Sequence, residues 1–247
     1  MAGTDEDEHD EDKEYEEDDY RRPWWRRPFV IIGAVVVLVG VGLGLGFGLS
    51  GKSGPPVGPE GVPVQNVPDL ASPNSTATGH EVDGITCRLT MDQGVSYHVH
   101  VHVAIFVNGV QERIPAGAGI DQPRLSEQIP GGLFVDNSGS SCLYWLHVHA
   151  NDGIIHVEAP HQMSFILGQF FDIWGQPLSR TQVGPAQGAV TAFVNGKVWS
   201  GDPRNIPLTG QSVVQLDVGT PVVPFKPMKF TVTGLCSSSC SAPPTSG

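Results

Sequence analysis

Two stretches of this chain alternate histidine with aliphatic residues: Tyr97-His98-Val99-His100-Val101-His102-Val103 and Leu146-His147-Val148-His149. Successive side chains of a β-strand point to opposite faces, whereas a helix would spread these histidines around its circumference, so the period of two specifies strands. Each strand then carries its imidazoles on one face and its aliphatic residues on the other. A third run, Ile154-Ile155-His156-Val157-Glu158, repeats the pattern with a carboxylate two residues after the histidine. Seven of the nine histidines fall between residues 98 and 161, so a few strand faces hold most of the chain's imidazole.

If these strands are neighbours in one sheet, the histidines converge. Residues i and i+2 of a strand stand about 7 Å apart at the backbone, near enough for both rings to lean toward one ion, with zinc–nitrogen distances of about 2.0–2.1 Å. An imidazole from an adjacent strand completes a set on one side of the metal. The candidate ligands are His98, His100, His102, His147, His149 and His156, with Glu158 or Asp152 as a further ligand or as a group that orients the imidazoles. Imidazole with carboxylate suits zinc or copper(II). Copper(I) calls for more sulfur than Met91 and Met163 supply. The competing reading takes the histidines as the polar face of amphipathic strands, structural or responsive to pH, since imidazole titrates near pH 6.5.

The N-terminal region points to a membrane. The first twenty residues hold twelve Asp or Glu against Lys13 alone, a block of like charge that repels itself and is expected to be disordered. Arg21, Arg22, Trp24, Trp25, Arg26 and Arg27 follow, and then 21 residues without a charge, 29–49. About 20 apolar residues cross a bilayer as a helix. Four arginines before the span and Lys52 alone close behind it place residues 1–28 in the cytoplasm and the rest outside, with Trp24 and Trp25 at the interface. A cleaved signal peptide is the alternative; the length of the span and the absence of a clear Ala-x-Ala site favour an uncleaved anchor. Gly40, Gly44 and Gly48 repeat every four residues, a spacing that suits either a homodimer through close helix contact or a span that simply threads the bilayer.

Residues 50–84 are rich in Pro, Gly and Ser and read as a linker, so the folded domain is expected over 85–235 with a disordered tail over 236–247. That domain is long enough for its own core. Its cysteines are Cys87, Cys142, Cys236 and Cys240, an even number in a compartment that permits oxidation. A Cys87–Cys142 bridge would tie together the chain before each histidine run, and Cys236–Cys240 would close a small terminal loop. Four cysteines allow three pairings, and the spacing does not choose among them.

The expected fold is mainly β with one short helix. Strands over 101–107 and 190–194 each run into Asn-Gly, at Asn108-Gly109 and Asn195-Gly196, the two-residue signal of a type I′ hairpin. Each hairpin is followed by Ile-Pro, at Ile114-Pro115 and Ile206-Pro207, which suggests two similar hairpin-containing halves packed together. Further strands are expected over 133–135, 144–149, 154–158, 213–218 and 230–233. A helix over 164–174 with Ser164 as its cap carries the apolar stripe Ile166, Leu167, Phe170, Phe171 and Trp174.

Together, Cys87 with its following histidine strand, Ile114-Pro-Ala-Gly-Ala-Gly-Ile120, Cys142-Leu-Tyr-Trp-Leu-His-Val-His149, Gly153-Ile-Ile-His-Val-Glu158 and Leu167-Gly-Gln-Phe-Phe-Asp-Ile-Trp-Gly175 carry a resemblance. Over about residues 85–225 the chain resembles a group of bacterial extracytoplasmic proteins, often membrane-anchored and frequent in actinobacteria. The group has no established activity, so the resemblance bears on the domain boundaries and the compartment.

Three function classes follow: a tethered metal-binding domain, an envelope interaction module, and a metal-dependent enzyme with Glu158 as base. The third has least support, because the sequence holds no Gly-x-Ser-x-Gly, no His-Glu-x-x-His and no phosphate-binding glycine loop. Nucleic acid is not an expected partner, since residues after 50 carry nine Lys or Arg against fourteen Asp or Glu and no basic stripe.

Overall fold

The computed structural model describes residues 56–58, 61–74, 78–88, 94–136 and 142–230. The apolar run at 29–49, its glycines, the acidic segment, Cys236 and Cys240 lie outside the described residues. Among the described residues no helix is long and apolar enough to cross a membrane.

The described chain is mainly β, with one α-helix. In order it forms β1 (Cys87–Arg88), β2 (Tyr97–Val107), β3 (Val110–Glu112), β4 (Leu125–Ile129), β5 (Gly132–Asp136), β6 (Leu143–Tyr144), β7 (Leu146–His147) and β8 (Ile154–Ala159). Then come α1 (Leu167–Trp174), the short strands β9 (Leu178–Ser179), β10 (Gln182–Val183) and β11 (Ala186–Gln187), and finally β12 (Val190–Val194), β13 (Lys197–Trp199) and β14 (Val213–Val218). Seven of these make one sheet in the order β13-β12-β14-β2-β8-β7, with β3 sharing the β8 edge of β2. The β2–β14 pair is parallel and its neighbours are antiparallel.

Both Asn-Gly turns form as the sequence expects. Asn108 and Gly109 have φ of 51° and 80°, and Asn195 and Gly196 have 50° and 82°, the two positive values a type I′ turn requires. The two hairpins are not halves packed face to face, however. Both belong to the single large sheet, joined through β14, because β14 offers one edge to each.

The period of two in β2 decides how the sheet packs. Val101, Val103 and Ile105 face one side, where Ile155 and Val157 of β8, Leu146 of β7 and Val214, Leu216 and Val218 of β14 join them. Onto this side packs α1 with Phe170, Phe171, Ile173 and Trp174, all fully buried. A buried aliphatic or aromatic side chain contributes roughly 1.5–3 kcal/mol, so this layer holds the sheet together. The helix begins later than Ser164: Leu167 N–H still donates to Ile206 O at 2.8 Å, Ile166 bridges Pro207, and Gln169 Oε1 accepts from Ile166 N–H at 2.9 Å. Ile166, with φ −123° and ψ 154°, is thus the N-cap in place of Ser164, and Gln169 reaches back to its N–H.

The opposite side of the sheet is also covered, although it carries His98, His100, His102, His156, Glu158, Gln215 and Asp217. The cover comes from segments expected to be linkers. Val62 and Val64 are buried here and Gln65 N–H donates to Asn151 O at 2.7 Å; farther along the same stretch Leu70 joins the helix-side core and Trp174 Nε1–H donates to Ser72 O at 2.8 Å. The fold therefore reaches back at least to residue 61, well before the expected start at 85. The C-terminal stretch after β14 is pinned by Val223 N–H to Asp217 Oδ1 at 2.8 Å and Lys226 N–H to Gln215 Oε1 at 2.9 Å. Phe230 is not in a strand; the rest of the strand expected over 230–233 lies outside the described residues. Met228 and Phe230 pack on Val62 and Ile154.

The disulfide forms between Cys87 and Cys142, one of the pairings the sequence left open. It closes a loop of 55 residues, worth about 4 kcal/mol on chain-entropy grounds, and it fixes β1 against β6 with Arg88 opposite Leu143.

The Ala-Gly-Ala-Gly segment runs beside the β6–β7 stretch through Gly117 N–H to Val148 O, Val148 N–H to Ala118 O and Tyr144 N–H to Gly119 O, at 2.8, 2.8 and 3.0 Å. Gly119 sits at φ 82°, and a Cβ there would stand 2.3 Å from Leu146 O and 2.9 Å from His147 Cα. Gly84 has a similar φ of 76° with nothing within 4 Å of an added Cβ. Gly84→Ala is expected to cost about 1–2 kcal/mol, the left-handed backbone term alone. Gly119→Ala should cost clearly more and should displace β7. Denaturant midpoints compare the two; equal costs would contradict the close approach.

Candidate metal centre

Register brings the histidine strands together. Across β2, β8 and β7, His100 lies opposite His156 and His156 opposite His147, while His98 lies opposite Glu158. Adjacent strands stand about 4.7–4.9 Å apart, so three imidazoles form a row across the sheet. His149 follows β7 and folds back over the same side.

Two groups emerge, in each of which the nitrogen or oxygen donor atoms lie within 4.8 Å of one another: His147, His149, His156 and Glu158; and His98, His100 and His156. The first is buried throughout, while His98 leaves 30% of its side chain exposed.

The inner group is arranged by its backbone partners. His147 Nδ1 lies 2.8 Å from Tyr144 O, and His149 Nδ1 lies 2.7 Å from Val135 O. A carbonyl only accepts, so each Nδ1 carries the hydrogen, and in the neutral ring each Nε2 presents a lone pair. Those two Nε2 atoms face each other at 3.1 Å. Two lone pairs at that distance repel unless a proton or a metal ion lies between them. Burial pushes the His147 imidazole well below its usual range, against the pull of Glu158, so a proton is disfavoured there. Two ligands on a tetrahedral ion at 2.0–2.1 Å stand about 3.3 Å apart. The pair therefore has the spacing and tautomers that two ligands of one ion would need, and the Nδ1–H···O=C bonds are of the kind that orient such ligands. Phe134 of β5 stacks on His149 with ring centroids 5.3 Å apart, closing that side.

Glu158 supplies the negative charge. Its Oε1 lies 3.3 Å from His98 Nε2, 3.6 Å from His156 Nδ1 and 3.9 Å from His147 Nε2. Burial works against ionisation, but the close approach of His156 and, once those rings take up protons at low pH, the fields of His147, His156 and His98 hold the carboxyl well below the usual carboxylate range. Its other oxygen, Oε2, accepts from Arg88, which is itself buried. Burial lowers the Arg88 guanidinium from its usual value, and the Glu158 charge opposes that. One oxygen is thus held by a fixed cation, leaving Oε1 directed at the imidazoles.

His102 and Asp152 stand outside both groups. The β2–β8 pairing places Ile154, not an imidazole, opposite His102, and His102 Nε2 instead lies 3.3 Å from Gln65 Nε2. Asp152 Oδ1 accepts from Ile154 N–H at 3.0 Å, closing the turn into β8. Arg88 was not legible as part of the site. Its one signal is adjacency to Cys87, whose disulfide carries β1 to the histidine sheet.

No family model matches the chain, and no curated protein and no solved structure matches it either.

Two outcomes are expected from this geometry. Arg88→Met leaves the Glu158 carboxylate buried without its cation, so metal-free stability should fall by about 3–5 kcal/mol, with added zinc restoring part of it. A loss under about 1 kcal/mol in denaturant unfolding would contradict the pairing. Burial, opposed by a hydrogen bond with Asp152, holds His102 down to about 4. The unfolded chain takes up that proton near pH 6.5, so the contribution is fully present above pH 6.5. It is lost as pH falls toward 4, by about 3 kcal/mol in all. His102→Gln should flatten the metal-free stability profile in that window; an unchanged slope would contradict it.

Proposed function

We propose that this chain is a single-pass membrane-anchored protein whose extracytoplasmic β domain binds one divalent transition-metal ion, zinc or copper(II), through His147, His149, His156 and Glu158. The observation that carries the reading is the pair of Nε2 atoms facing each other at 3.1 Å with both Nδ1 positions committed to backbone carbonyls. Three imidazoles and a carboxylate are borderline ligands and suit zinc or copper(II). Cys87 and Cys142 are joined to each other, which removes them as thiolate ligands for copper(I).

The 21-residue apolar run behind four arginines supports the anchor and its orientation. The disulfide supports an oxidising compartment for the domain, as does the resemblance to extracytoplasmic proteins. In that setting the domain serves to acquire, buffer or deliver the ion. A module switched by protonation near pH 6.5 fits less well, because burial keeps His147 and His102 neutral far below that pH.

The test uses the full chain in detergent, stripped with a chelator and titrated with zinc or copper(II). One equivalent should bind. At a hundred times Kd the native state gains about 2.7 kcal/mol, a rise in melting midpoint of roughly 5–10 °C. The paired substitution His147→Ala with His149→Ala should weaken binding at least a hundredfold and remove most of the rise in melting midpoint at the same metal concentration. Absence of binding by the wild-type chain would overturn the reading.

A further inference from the structure

His98 and His100 are not among the four inner groups, yet with His156 they bring donor atoms within 4.8 Å of one another. We infer that His98, His100 and His156 form an outer metal position through which an ion reaches the inner one, with His156 a ligand in both. The inference rests on the metal-binding reading proposed above.

Exposure sets the direction of travel. His98 is 30% exposed at its side chain, whereas His147 and Glu158 are at 0% and 1%. A hydrated dication arrives at the open end. Moving a bare ion into a dry interior is prohibitive unless ligands replace its water as it goes.

The register supplies those ligands in series. His100, His156 and His147 lie in line on three adjacent strands, so each step is about one strand spacing. The His156 ring meets His100 edge-on at 4.5 Å between centroids and His149 edge-on at 4.8 Å, and stacks on His147 at 5.2 Å. Glu158 Oε1 touches both groups, 3.3 Å from His98 Nε2 and 3.9 Å from His147 Nε2. An ion passing inward keeps a carboxylate oxygen beside it throughout and exchanges His98 and His100 for His147 and His149. The step is ligand exchange only; the ion's charge does not change. His156 belongs to both groups, so the outer position empties as the inner one fills, and the resting protein holds one ion.

Stopped-flow mixing of the metal-free full chain with copper(II), read by quenching of tryptophan fluorescence, tests this. The wild-type chain should load in two phases, the first proportional to copper concentration and the second independent of it. His98→Gln with His100→Gln should slow the first phase at least tenfold. His147→Gln with His149→Gln should keep the first phase and lack the second. Near-ultraviolet circular dichroism checks that each variant keeps the wild-type fold, and the single variants His98→Gln and His100→Gln, each expected to slow the first phase several-fold, serve if a double variant does not. Loading of the His98/His100 variant at the wild-type rate would overturn the inference while leaving the inner site intact. Two copper ions bound at equilibrium with magnetic coupling would overturn it in favour of a two-ion centre. Binding by none of the forms would remove the metal-binding reading itself.

Discussion

The site depends on a sheet face that is polar and yet largely buried. The same alternation that sends Val101, Val103 and Ile105 into the helix-covered core sends His98, His100 and His102 to the other side. That side is roofed by the 61–65 stretch, the segment after β14 and Phe134 of the β4–β5 hairpin. Burying five imidazoles, the carboxylates of Glu158 and Asp217 and a guanidinium costs free energy unless each finds a partner. The arrangement of backbone acceptors at the two Nδ1 atoms, with Arg88 on Glu158, answers part of that requirement and leaves two lone pairs facing each other. A divalent ion between them would answer the rest, as proposed above.

The scaffold around the centre is stiff for identifiable reasons. The Cys87–Cys142 bridge fixes the segment that carries Arg88, Gly119 lets the Ala-Gly-Ala-Gly segment lie against the backbone of His147, and the β2–β8 ladder sets His100 opposite His156. Each contact places a ligand or its orienting partner from a different part of the chain. A set of ligands held this way is preorganised, so little ordering entropy opposes metal binding.

Much of this was legible in the sequence where local periodicity governs. The period-two runs gave β2 and β8, Asn-Gly gave both hairpin turns, and the cysteine positions gave the observed bridge as one of three pairings; the strand expected over 144–149 is broken into β6 and β7, which belong to different sheets, and His149 lies past the end of β7. What local pattern does not encode is register and cover. Strand pairing pits His100 against His156 and His102 against Ile154, a two-residue difference that takes His102 out of the centre and that no single strand reveals. The Pro-rich stretch at 61–73 looked like a tether because its apolar residues Val62, Val64 and Leu70 have no period. They bury singly against a surface made elsewhere. Arg88 was hidden for the same reason, since its partner lies 70 residues away.

The proposed function stands or falls with His147, His149 and His156 binding one ion together with Glu158. X-ray absorption at the zinc edge of the loaded full chain tests it most directly. The spectrum should show about three imidazole nitrogens and one oxygen at roughly 2.0–2.1 Å, with the outer-shell scattering of imidazole rings and no sulfur. A spectrum of water oxygens without imidazole scattering, or one with a zinc–sulfur shell near 2.3 Å, would contradict it.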